Sequence, residues 1–174
     1  EQGLGPFSVE LWIRGEGDAL MEPEAQAWMA RTTEWVRRGE PVRTVLGPPD
    51  FLASAARALD LPPPRTREEI AQLSLLLEMA APSGLDEVWR PAEHEAQIVA
   101  SVVDLGSARM GPFFDAWETR LRDDPPPAGV RADLTGVLRL AHVTLIDIVD
   151  GFATSLALAT LVVWLLVSTI FRSL

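Results

Sequence analysis

Cysteine is absent from this 174-residue chain, which removes any disulfide framework, thiolate metal site or cysteine nucleophile, while leaving the compartment open. Lysine is absent too, so all 15 basic residues are Arg, a usage that reads as codon-composition bias rather than as a binding device. Histidine is scarce. His94 and His142 stand far apart without metal-ligand spacing such as H-E-x-x-H, so no metal site is expected. Against 15 cations stand 25 acids, giving a net charge of −10 and a pI near 4.6. Binding a phosphate backbone needs clustered cations that release counterions, so nucleic acid is excluded as a partner. The opening EQGLGPF has neither the basic nor the apolar region of a signal peptide. Together with the abrupt end at FRSL, this leads us to expect a piece of a longer protein.

Catalytic signatures are lacking as well. Asp115 with Glu118, or Glu68 with Glu69, could form carboxylate pairs, but on helices these positions read as solvated faces. The glycines of GEG (residues 15–17) and of LGPP have no strand-to-helix phosphate-loop context and read as turns. We therefore expect no enzyme activity and no cofactor.

What the chain does have is a greasy end. Residues 151–171 carry no charge over 21 positions, with only Thr154, Ser155, Thr160, Ser168 and Thr169 as polar side chains. About 20 helical residues cross the hydrocarbon core of a bilayer, so a transmembrane helix is expected here. The hydroxyls can bond back to helical carbonyls, and Gly151, Ala153, Ala157 and Ala159 would admit a close neighbouring helix. Trp164, mid-span, suits packing against such a neighbour. Arg172 follows the apolar run directly, which by the positive-inside tendency makes it the cytoplasmic-end anchor and leaves the rest outside the cytoplasm. Asp147 and Asp150 precede the run and read as solvated residues at the interface, since acids within hydrocarbon are costly. Upstream, Leu138, Ala141, Leu145, Ile148 and Phe152 keep helical spacing, so one helix is expected from about Val137 straight into the bilayer, a rigid stalk.

The remaining residues suit one α+β domain. PFSVELWIRG alternates Phe7, Val9, Leu11 and Ile13 against Ser8, Glu10, Trp12 and Arg14, the period of a half-buried strand. A helix over Glu22 to Arg38 follows, with Ala25, Trp28, Met29, Thr32, Trp35 and Val36 on one face, then a short strand within Val42 to Pro49. Helices are predicted over Asp50 to Leu59 and Thr66 to Ala81, the latter opened by Thr66 and Glu69 at capping-box spacing and separated from the former by the stiff LPPPR. Beyond a helical turn near Leu85 to Trp89, a third strand is expected over Glu95 to Leu105. A helix with Met110, Phe113, Phe114, Trp117 and Leu121 on one face comes next, either kinked at Pro112 or beginning there. DDPPPAG is a loop and VRADLTG a fourth strand. The order is βαβ, a helical insertion at about 50–90, then βαβ, which predicts a ferredoxin-like four-stranded antiparallel sheet with helices on one face over residues 1–136. Trp28, Trp35, Phe113, Phe114 and Trp117 are expected in the core. Trp12, on the opposite face of the first strand, is the candidate contact surface.

Several stretches, in order, resemble the resistance-nodulation-division (RND) superfamily, in particular its MMPL-like predicted exporters. They are ELWIRGEGDALMEPEAQAWMARTTEWV, VRTVLGPPDFLASAARAL, LPPPRTREEIAQLSLLLEMA, IVASVVDLGS, LTGVLRLAH and FRSL. The motif positions are Leu134, Thr135 and Gly136 at the end of the last strand, and Phe171, Arg172 and Ser173 at the membrane exit. The resemblance implies a proton-driven exporter of the bacterial inner membrane, built from two similar halves, each with a large porter loop. IAQLSLLLEM looks more like the loop of the second half. Implied partners are the bilayer, the remaining transmembrane helices and second porter domain, further copies of the protein, and a hydrophobic or lipid-like cargo. The proton-relay acids of that family lie in helices other than this one. A rival expectation is a single-span, membrane-anchored sensor or binding module.

Overall fold

The computed structural model describes residues 7–80, 84–103 and 106–172, with the side chains of 107 and 108 left undescribed. The chain divides into two compact units, Glu1–Arg139 and Leu140–Leu174. The first is mixed α+β. Its elements are β1 (Ser8–Gly15), α1 (Pro23–Arg38), β2 (Val42–Leu46), α2 (Pro48–Ala58), α3 (Arg67–Ala80), α4 (Leu85–Val88), β3 (Trp89–Arg90), β4 (Glu95–Val102), α5 (Ser107–Asp123) and β5 (Val130–Thr135). A final helix, α6 (Val137–Arg172), begins in this unit and supplies the second.

The strands pair antiparallel in the order β2-β4-β1-β5, with β3 attached to β4. Alternation along β1 does what its period dictates: Val9, Leu11 and Ile13 are fully buried, while Ser8, Glu10 and Trp12 are not. The register sets Leu11 between Ile98 of β4 and Leu134 of β5, and Ile13 between Ala96 and Ala132. These side chains share one cluster with Trp28 and Met29 of α1 and with Phe114 and Trp117 of α5. Trp35 lies at its margin, half-buried, its ring edge-on to Trp117 at 5.6 Å.

Local signals explain the helix ends. Pro23 occupies the first turn of α1, where no intrahelical N–H is needed, and Arg37 and Arg38 occupy its last turn, favourable to the helix dipole. Both arginines also hydrogen-bond Glu34, which holds the Glu34 carboxyl below its ordinary value. The expected reciprocal cap of α3 is present: the Glu69 N–H donates to Thr66 Oγ1 and the Thr66 N–H to Glu69 Oε2, each at 3.3 Å. The helix of α2 starts at Pro48, two residues earlier than expected, because Asp50 accepts the Gly47 N–H at 3.0 Å and completes its first turn.

Three expectations change. The sheet has five strands rather than four, because Trp89, anticipated as the end of a helical turn, extends together with Arg90 and the two pair with Ala96 and Glu95. Of the two alternatives for Pro112, a start there is set aside: α5 starts at Ser107 and runs through the proline, forgoing one backbone hydrogen bond near its start. The third strand closes at Val102, and Leu105 and Ala81 lie outside the described residues.

Asp124, in the loop after α5, ties that helix to α1. Its carboxylate accepts Arg31 Nε and Nη2 at 3.3 and 3.2 Å and also Arg120, while its backbone carbonyl accepts the Trp28 indole N–H at 2.9 Å. The Arg31 hydrogen bonds, opposed by partial burial, hold the Asp124 carboxyl below the usual aspartate value.

Candidate functional site

Three features stand out: the apolar helix α6, its junction with β5, and the sheet face that carries Trp12. In α6 an 18-residue window reaches a mean hydropathy of 2.1, and none of that window is buried. Leu156, Leu158, Leu161, Val163, Trp164 and Ile170 are all exposed. A helix apolar all round, with no protein covering it, is long and apolar enough to cross a membrane. Its hydroxyls are satisfied from within: Thr160 Oγ1 donates to the Leu156 carbonyl at 2.8 Å and Thr169 Oγ1 to that of Leu165 at 2.7 Å. Arg172 closes the last turn and Phe171 is exposed beside it; Ser173 lies outside the described residues. Asp147 and Asp150 are exposed on the helix ahead of the uncharged run.

The LTG triplet forms the junction. Leu134 faces Leu11 and Thr135 faces Glu10 in the β1–β5 ladder. Gly136 then adopts φ +101°, and a Cβ there would stand 3.1 Å from both the Glu10 nitrogen and the Ser8 oxygen. Glycine is thus required twice over, for its torsion and for the close approach of the β1 backbone. The first turn of α6 is anchored to the sheet unit immediately afterwards. Leu138 is buried in the core, and Arg139 pairs with Glu118 of α5 at 2.6 Å and lies over the Phe114 ring at 5.1 Å from its centroid. Gly136→Ala should therefore lower the stability of the sheet unit by about 1–3 kcal/mol, measurable as an earlier thermal unfolding transition in detergent.

Trp12 sits on the face of the sheet opposite the core, between Gln97 of β4 and Asp133 of β5. Its ring is half-buried, capped by the Arg14 guanidinium at 4.1 Å from the centroid, and its indole N–H is shielded without a hydrogen-bond partner. Arg14 is in turn held by Glu95 at 3.5 Å. Where α4 borders this face, Glu10, Asp86, Glu87, Arg90, Gln97 and Val99 line an open cleft of about 330 Å³. The surface offers aromatic and charged contacts. Among the described residues no group of three or more His, Cys, Asp or Glu is arranged to hold a metal ion. The carboxylates weighed as pairs are engaged separately: Glu118 with Arg139, and Glu69 with the α3 cap.

The structure thus brings Leu134, Thr135 and Gly136 together with the base of α6, while Trp12 lies on the sheet and Phe171 and Arg172 end the second unit. Reading the sequence missed the Arg139–Glu118 pair, whose partners are 21 positions apart; the only signal was that Arg139 directly follows the apolar Leu138 at the start of the stalk helix. Comparison with protein-family models, with curated proteins and with solved structures finds no match.

Proposed function

We propose that this chain is part of a proton-driven, RND-type membrane exporter of hydrophobic or lipid-like compounds, contributing a porter domain and the membrane helix that follows it. The observation that carries the reading is the passage of β5, through Gly136, directly into a 36-residue helix apolar enough to span a bilayer. The sheet supports it as well. Without the short β3, the order β2-β4-β1-β5 is the one that two interleaved βαβ units give in a ferredoxin-like porter subdomain. The helical insertion of α2, α3 and α4 separates the two units. In this reading Arg172 lies at the cytoplasmic surface of a bacterial inner membrane and the sheet unit lies outside the cytoplasm.

The mechanism follows from the docked first turn of α6. Proton-linked movements of other membrane helices displace α6, and Leu138 and Arg139 carry the displacement into the core and α5, so that the porter domain rearranges around its cargo. A break in the helix should therefore uncouple the pump without preventing insertion. Ile148→Gly combined with Val149→Pro removes a backbone hydrogen bond and adds a ring clash, at about 3 kcal/mol or more. In cells carrying the complete transporter, efflux of a lipophilic dye should be lost while the protein remains in the membrane fraction. Undiminished efflux would count against mechanical coupling.

A further inference from the structure

In the helical insertion, α3 has more apolar surface than the domain uses. Ile70, Leu73 and Leu77 are buried, yet Leu75, Leu76 and Met79 on the other side are 58%, 46% and 76% exposed. A helix with apolar residues on both sides is normally enclosed. Beside Leu76 the stiff connector forms the other wall of a cleft of about 210 Å³, lined by Leu61, Pro62, Pro64, Gln72 and Leu76 with Glu69 at its edge, and sized for one bulky apolar side chain. Leu61, on the cleft wall, is itself 51% exposed and extends the apolar surface.

The charges on the exposed side of α3 are of one sign, and the connector adds a single exposed cation, Arg65. Glu68, Glu69 and Glu78 are the charged side chains on the exposed side of α3, since Arg67 turns away to Asp18 and Glu22. An acidic rim around leucines and an adaptable methionine complements an amphipathic helix with cations beside its apolar stripe. It disfavours a second copy of this chain, which has a net charge of −10 and no Lys, and it disfavours an anionic lipid surface. We propose that Leu75, Leu76 and Met79, with the adjoining cleft, form the docking surface for a cationic amphipathic helix of a partner protein. This goes beyond the exporter reading and stands without it, because it rests on α3 and the connector alone.

The test uses the full chain in phosphatidylcholine nanodiscs and a fluorescein-labelled helical peptide of about 18 residues, with Leu at i, i+3, i+4 and i+7 and Lys elsewhere. Binding is expected to weaken at least about tenfold in Leu76→Gln/Met79→Gln, which leaves the charge unchanged. In Glu68→Gln/Glu78→Gln it should weaken several-fold and lose most of its salt dependence. Both pairs are exposed, so the thermal transition should not move and serves as the folding control. Equal binding to wild type and Leu76→Gln/Met79→Gln would overturn the proposal, as would equal binding of a Gln-for-Lys peptide. So would equal uptake by empty nanodiscs, or a wild-type dimer that the Gln variant dissolves, which would assign the surface to the bilayer or to a second copy.

Discussion

Leu158→Arg combined with Val162→Arg should abolish membrane integration of the chain. Residues 151–171 contain eleven Leu, Val, Ile and Phe side chains. At roughly 0.3–0.6 kcal/mol each, they favour insertion by on the order of 3–7 kcal/mol. Each central Arg costs about 2.5–3.5 kcal/mol on the same scale, so one substitution is tolerable and two cancel the gain. Neither position belongs to the sheet unit's core cluster, so that domain's folding should stay intact. Carbonate extraction of membranes checks this: the wild type and each single variant should stay with the lipid, and the double variant should be released. A double variant retained like the wild type would mean that α6 is held by something other than lipid.

Trp28→Ala should be the most destabilising single change in the sheet unit. Trp28 is 1% exposed, belongs to the central cluster, and donates its indole N–H to the Asp124 carbonyl across 96 positions of sequence. Truncation removes its packing, leaves a large cavity and orphans that carbonyl, a combined loss of about 3–5 kcal/mol. Against a typical domain stability of about 5–15 kcal/mol, the variant should unfold well below the wild type or fail to accumulate. Trp28→Phe keeps most of the volume and should lose less, while Trp12→Ala, on the opposite face, should scarcely move the transition. Thermal unfolding followed by far-ultraviolet circular dichroism ranks the three, and a Trp12 effect as large as that of Trp28 would contradict the assigned faces.

Most of the local architecture was legible because it depends on period. The two-residue alternation of β1 and the helical spacing of Trp28, Met29 and Val36 each predicted the side that is buried. Uncharged length alone marked α6, and the Thr66–Glu69 cap was readable from spacing. What escaped depends on partners distant in sequence. Trp89 and Arg90 are the local exception: their partners Ala96 and Glu95 are close in sequence, but the reversal through Pro91 to His94 carries none of the short glycine turn signals that mark a hairpin. Asp124 read only as part of a proline-rich loop, yet it gathers Arg31, Arg120 and Trp28. At the candidate site the glycine of LTG was noted by resemblance. Its physical necessity, a positive φ against the β1 backbone, emerges only once β1 and β5 are paired.

The absence of cysteine makes the central claim directly measurable, since every introduced thiol reports alone. Arg131, 80% exposed on the side chain, and Arg172, at the end of α6, are the two positions to compare. With the chain in bacterial spheroplasts, a membrane-impermeant maleimide should label Arg131→Cys at once and Arg172→Cys only after permeabilisation. Labelling of both thiols in intact spheroplasts, or recovery of the chain in the soluble fraction, would contradict a span through α6.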